Sequence, residues 1–277
     1  MVAPLERDGA PALPTGHVLL VPHDASWDAV ADWMAAGLRR REQVIHASAG
    51  QPSDDLLMQR LAVAHRLDVA ALRSRGQLRS ATVEEFYAPR ERESVVTSAL
   101  AEGYSGVRVC GAADQALEQM SVDEYDAVEG ELNDLCRRYP FSALCRYGQD
   151  LLRDNQDLSV GHHPVVTDAL GCVATWTPGG PVVKLSGEFD LANAELLRSA
   201  VARAARQMPP GRTLVLDLGA VSFFGLAGVR SILAATESLR ADGGTVMIQA
   251  AGSGLGRIFE LLDLTQVAGI RLDGELQ

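Results

Sequence analysis

Short apolar runs alternate with amphipathic helical stretches along nearly the whole chain, and this alternation constrains the fold more than any other feature. His17-Val-Leu-Leu-Val21 reads as a buried strand. Trp27, Val30, Trp33, Met34, Gly37 and Leu38 then recur every three or four residues, as on one face of a helix. Arg39, Arg40 and Arg41 close that helix, where cations suit the helix dipole. The pattern repeats: strand Gln43–His46, helix Ser53–Ala64, short strand Gln77–Ser80, helix Arg90–Glu102, strand Gly106–Gly111, helix Ser121–Arg137, strand Phe141–Tyr147. Strands separated by helices predict an α/β domain with a mainly parallel sheet.

The texture changes at GCVATWTPGGP, residues 171–181, where Gly and Pro cluster. Beyond it come strand Val182–Asp190, helix Ala192–Gln207, strand Thr213–Asp217, helix Leu226–Ala241, strand Thr245–Ala250, helix Leu255–Leu262 and a last short strand at Gly269–Leu272. The chain therefore divides into a tail over 1–15, an α/β domain over 16–170, a linker over 171–180 and a second α/β domain over 181–277. A length of 277 residues suits two domains.

The formal net charge of −11 argues against nucleic acid or an anionic membrane surface as partner, because an acidic surface repels phosphate. No apolar stretch approaches the ~18 residues of a membrane span. The first 15 residues lack a basic start and an apolar run, so they read as a disordered tail and not a signal peptide. Cys110, Cys136, Cys145 and Cys172 form no CxxC pair and are expected to be reduced, as in a cytoplasmic protein.

Motifs for chemistry fail one by one. Gly252-Ser-Gly-Leu-Gly256 opens a helix but lacks both a following Lys-Ser/Thr pair and a third glycine at dinucleotide spacing, so it reads as a glycine-rich turn. The loop after the first strand, Pro22-His-Asp-Ala-Ser-Trp27, has no GxxxxGK[ST]. Neither an HExxH nor a His-x-Cys zinc pattern occurs, and no metal or cofactor is expected. No nucleophile–base pair stands out, and the chain is not expected to be an enzyme.

The last hundred residues resemble the STAS family of anti-sigma-factor antagonists. VVKLSGEFDLANAELL, TLVLDLGAVSFFGLAGVRSILAATESLRADGGTVMIQA and FELLDLTQVAGIRL carry the likeness. The resemblance implies a sheet packed against helices and a contact with a kinase-like anti-sigma factor or another STAS protein. It also implies a loop that presents a phosphorylated Ser or Thr. Here the family's Asp-Ser-Ser/Thr-Gly is Gly225-Leu226-Ala227-Gly228, with no hydroxyl at the phosphoacceptor position and no acid before it. Phosphate would otherwise add about −1.5 to −2 charges to that loop. Asp190 matches the family's acid after the first strand, and Ser222 is the nearest upstream hydroxyl that could substitute. Leu226 would either touch a partner or bury against its own domain, the second being the stronger expectation.

Residues from about Gly16 to Ala169 resemble the MEDS sensory domain of methanogen and methylotroph regulators. The likeness rests on GHVLLV, ADWMAAGLRRREQVIHAS, EGYSGVRVCG, the EGELN stretch, and ALCRYG followed by HHP. The resemblance implies a RecA-like α/β fold without a phosphate loop, sensing small organic compounds. Carried across, His17, Arg108, Glu129, Tyr147 and His163 become the candidate ligand-site residues. Pro22, Ala112 and Gly148 depart from the aromatic, Glu and Asp common in the family, so the pocket would bind something different, or nothing.

The chain is thus expected to be a bacterial cytoplasmic regulator acting through sigma-factor control of transcription. Its rear half would bind an anti-sigma factor or STAS protein, and its front half would sense a small molecule or act as a docking platform. A scaffold built by STAS–STAS contacts, including a homodimer, and a degenerate small-molecule enzyme in the front half are the alternatives.

Overall fold

The computed structural model describes residues 15–21, 26–47, 52–87, 92–148, 163–168, 173–176, 180–249 and 253–273. Among these residues one eleven-stranded sheet runs through both halves, in the order β11-β10-β9-β8-β7-β6-β1-β5-β4-β2-β3. The front half contributes β1 (His17–Val21), β2 (Gln43–Ala47), β3 (Leu78–Ala81), β4 (Val107–Ala112), β5 (Phe141–Arg146) and β6 (Val165–Asp168). Those six pair in parallel, as the strand–helix alternation predicts. Such strands are covered on both faces and read as near-continuous apolar runs, and every residue of β2 and β4 is buried.

Helices α1 (Ser26–Arg39), α2 (Pro52–Val63) and α3 (Val69–Ser74) lie over one face. Trp33, Met34, Leu57, Leu61 and Leu72 pack there on Val18, Leu20, Val44 and Leu144. The other face carries α4 (Val83–Tyr87), α5 (Arg92–Ala101), α6 (Ala113–Leu117) and α7 (Val122–Arg138). α7 begins with a capping box: the Ser121 hydroxyl accepts from the Glu124 amide, and the Glu124 carboxylate accepts from the Ser121 amide.

The rear half supplies β8 (Val182–Phe189), β9 (Thr213–Phe224), β10 (Thr245–Gln249) and β11 (Ile270–Leu272), parallel throughout. Its helices are α8 (Ala194–Arg206), α9 (Leu226–Ala235), α10 (Glu237–Ala241) and α11 (Ser253–Leu261). All four share the apolar cluster that also holds Leu19, Tyr125 and Cys145 of the front half.

The expected linker over 171–180 contains strand β7 (Val173–Trp176), antiparallel to β6 on one side and to β8 on the other. Ala174 is fully buried at that seam, between Val166 and Leu185. A short run beside Gly and Pro is therefore a central strand of the sheet, and one core spans both halves. The helix expected over Leu226–Ala241 breaks at Thr236, a buried residue whose hydroxyl donates to the Ile232 carbonyl at 2.7 Å. The tail over residues 1–14, with Pro22, His23, Asp24, His162 and Cys172, lies outside the described residues.

Candidate functional site

Two places in the fold gather the residues singled out by sequence. The first lies between the sheet and α7. Strand side chains alternate between faces, so His17 shares a face with Leu19, and Cys145 shares it with Ala143 and Tyr147. Glu129, on the sheet-facing side of α7, meets them there. His17, Glu129, Tyr147 and His163 are all buried from solvent. Glu129 Oε2 lies 2.9 Å from His17 Nε2 and 3.2 Å from His163 Nε2. The Tyr147 hydroxyl is 3.0 Å from Glu129 Oε1 and 3.0 Å from the Tyr125 hydroxyl. Cys145 Sγ sits 3.7 Å from His17 Nε2 and 3.8 Å from Glu129 Oε2. The two imidazole rings are 4.1 Å apart, centroid to centroid.

Burial by itself would raise the Glu129 carboxyl, but the charges and hydrogen bonds of His163 and His17 outweigh it and hold it well below the ordinary carboxylate range. Burial and the Glu129 charge push the Cys145 thiol well above its ordinary value. The cluster is an ionised carboxylate enclosed by two imidazoles, a thiol and a phenol.

Cys145 and Tyr125 join this cluster without having been singled out. Periodicity carries both signals: Cys145 is two residues before Tyr147 on a strand, and Tyr125 is four before Glu129 on a helix.

Arg108 does not join it. Val107 and Val109 face α7, so Arg108 between them points to the opposite face of the sheet. There its guanidinium binds the Glu42 carboxylate, donates to the Trp33 carbonyl at 3.0 Å and stacks over the Trp33 ring at 4.8 Å. Its path explains Gly37 inside α1, where a Cβ would meet the Arg108 side chain at 2.6 Å. Arg108 holds the fold and takes no part in the candidate ligand site. At Gly148, which replaces the family's acid, the Asp114 carboxylate lies 2.9 Å from where a Cβ would stand. A different carboxylate thus takes up that space.

The second place is the edge of the rear half where β8 and β9 end together. Phe189 pairs with Phe224, and the Gly225 amide donates to the Phe189 carbonyl at 2.8 Å. Asp190 follows at once, its carboxylate accepting from the Ala192 amide at 2.8 Å, and its Cα lies 3.7 Å from where a Cβ of Gly225 would stand. Asp190 is therefore beside the loop, as the resemblance implied. Leu226 is the first residue of α9 and is 50% exposed, which overturns the expectation that it buries against its own domain. Phe223, which alternates outward from the buried Phe224, is 51% exposed, and Leu191 is 83% exposed.

Ser222 lies within β9, and its hydroxyl donates to the Gly187 carbonyl at 3.2 Å, so it has a local partner. Ala227 is half-buried in the first turn of α9. Gly228 is buried, and a Cβ there would stand 2.9 Å from the Phe224 ring.

Among the described residues no helix is long and apolar enough to cross a membrane. Residues 17–164 match the family described as MEDS, the methanogen/methylotroph, DcmR sensory domain. Residues 172–272 match the family described as Mlab, STAS domain.

Proposed function

We propose that this chain, which belongs to the family of methanogen/methylotroph DcmR sensory domains and continues into a STAS domain, is a two-part signalling regulator that works by association and not by catalysis. Its STAS half binds a kinase-like anti-sigma factor or another STAS protein through the edge formed by Asp190, Leu191, Phe223, Gly225 and Leu226. The front half senses, and the contact at that edge is its output, exerted in the cytoplasm on sigma-factor availability.

One observation carries this reading. The position that bears a hydroxyl in phosphorylated STAS domains here bears a half-exposed leucine, flanked by exposed Phe223 and Leu191. Large apolar side chains left exposed beside one loop support a protein contact. A side chain without oxygen cannot accept phosphate, so this contact is constitutive at the loop, and its control falls to the front half. The continuous sheet through β6, β7 and β8 supplies a path for that control, since a ligand that prefers one arrangement of the front half can bias the rear by up to its differential affinity.

The test is affinity capture with the full chain and with Leu226→Asp and Phe223→Ser variants, followed by mass spectrometry. A kinase-like anti-sigma protein or a STAS protein held by wild type and lost from both variants supports the reading. Capture of the chain's own copies alone favours the scaffold, and equal capture by all three chains overturns the role of this edge.

A further inference from the structure

We infer that His17, Glu129, Cys145 and His163 together form a closed site for one divalent transition-metal cation of the zinc class. The inference rests on the sensory reading of the front half and says what kind of ligand its buried cluster takes. It does not depend on the partner contact.

The donor set is the first argument. Two imidazole nitrogens, one carboxylate oxygen and one sulfur are the ligand types that zinc and its neighbours use, and a harder ion such as magnesium or calcium would call for oxygen alone. The four ligand atoms lie within 4.8 Å of one another, and all four residues are buried.

Geometry is the second. A tetrahedral zinc with bonds of about 2.0 Å to nitrogen, 2.1 Å to oxygen and 2.3 Å to sulfur sets edges of about 3.4 Å between nitrogen and oxygen, and about 3.6 Å to sulfur. The nitrogen–oxygen edges here are 2.9 and 3.2 Å. The edges to sulfur are 3.7 and 3.8 Å. Each of these four edges falls within about half an ångström of its tetrahedral value, and the edges from His163 to His17 and to Cys145 stay within 4.8 Å. The space between such atoms is that of a single ion and excludes an organic molecule.

Neighbouring side chains also support the site. The Tyr147 hydroxyl bonds the other oxygen of Glu129 and also meets Tyr125, which fixes the carboxylate as the outer partners of metal ligands do. The four ligands come from β1, α7, β5 and the residue two positions before β6. An ion would therefore tie the strand that leads to β7 and the rear half to the middle of the front domain.

A rival account is a cluster held by protons alone, with Glu129 accepting from both histidines. Sulfur separates the two. In a proton-held cluster the thiol makes only weak contacts near 3.8 Å, whereas a zinc-class ion makes it a primary ligand.

The experiment uses the full chain, stripped with a chelator and titrated with cobalt(II) chloride. The expected result is the visible absorption of tetrahedral cobalt with a near-ultraviolet thiolate band, saturating at about one equivalent per chain and displaced by zinc chloride. Cys145→Ser, a near-isosteric change, loses the thiolate band. Tyr147→Phe keeps the spectrum and weakens cobalt affinity by about tenfold. Absence of a tetrahedral spectrum in wild type overturns the proposal, as does a thiolate band that survives Cys145→Ser. A parallel thermal-shift screen of small organic compounds on the same chain separates this inference from the reading beneath it. A stabilising compound without cobalt uptake leaves a sensor and removes the metal site.

Discussion

Glu129, in the middle of α7, holds His17, the first residue of β1, at 2.9 Å with neither side chain reaching solvent. A buried carboxylate of this kind is tolerated only while its partners remain, because an ion left alone in the core faces a large desolvation cost. Removing the charge leaves two imidazoles facing a neutral amide. Glu129→Gln is expected to lower stability by about 3 kcal/mol, read as a fall in denaturant midpoint with an unchanged slope. A shift within about 0.5 kcal/mol would show that the cluster is not a structural centre of the front half.

The two glycines of the STAS loop are expected to respond in opposite directions. Gly225 caps α9 in an extended conformation, with no side-chain oxygen to accept from the helix amides, and the nearest atom to a Cβ there is 3.4 Å away. Gly225→Ser gains a cap and should stabilise by a few tenths of a kcal/mol. Gly228→Ala drives a methyl into the Phe224 ring at 2.9 Å, and that ring packs between Phe189 and Phe259. It should destabilise by about 1–3 kcal/mol. Thermal melts of the two variants decide the point, and equal effects would contradict the loop geometry.

His46 provides a pH dependence with a fixed sign. It is buried on the α2 side of the sheet, 2.8 Å from Asp54, with the Arg146 charge acting on it from β5 and the Cys110 backbone beside it on β4. Burial depresses it below its ordinary value of 6.5, and this outweighs the opposing pull of Asp54. Its folded state therefore prefers the neutral ring, while the unfolded chain takes up a proton first. Stability should be full above about pH 7 and fall as pH drops through the ordinary value toward the lowered one. Denaturant midpoints between about pH 5 and pH 7.5 should show this slope in wild type and a flatter one in His46→Gln.

Much of this fold is legible in the sequence because period two and period 3.6 are written plainly in it. The parallel strands of the front half are apolar runs, and their intervening helices carry apolar stripes. The same parity, applied residue by residue, also separates Arg108 from His17, since Arg108 alternates against Val107 and Val109 on a sheet whose faces hold different helices. Family likeness grouped Arg108 with the ligand candidates; strand parity moves it to the other face. Cys145 was legible as the partner of Tyr147 two residues on. His163 was legible only through resemblance, because it precedes a four-residue strand and belongs to no periodic element. β6 and β7 were hidden for a related reason: their four-residue runs are too short for a pattern, and pairing across the whole sheet makes them strands. The break at Thr236 was hidden because it depends on a buried hydroxyl turned back onto its own helix.

The reading of the STAS loop as one without a phosphoacceptor can be inverted experimentally. Leu226 is half-exposed at the first position of α9, so a serine there costs little packing and places a hydroxyl at the helix start. Asp190 already lies beside the loop. With a kinase-like anti-sigma partner and ATP, wild type should remain unmodified on residues 220–228 by mass spectrometry, while the Gly225→Asp, Leu226→Ser double variant gains one phosphate. Phosphate on Ser222 of wild type would remove the claim that the loop is locked.

The seam at β7 makes the strongest demand on the structure. Ala174 is fully buried and pairs with Val166 on one side and Leu185 on the other, and the apolar cluster passes beneath the seam from Leu19 to Ile270. Halves that share a sheet and a core cannot melt independently without exposing that common surface, so calorimetry should record one cooperative transition for the full chain. Ala174→Pro removes the backbone donor of this central strand and should cost at least about 3 kcal/mol. That loss should move far-ultraviolet circular dichroism and, with Trp27 and Trp176 replaced by Phe, the fluorescence of Trp33 in the front half together. Two separated transitions in wild type, or a front half untouched by Ala174→Pro, would mean that the sheet does not couple sensor to output, and control of the STAS edge would need another route.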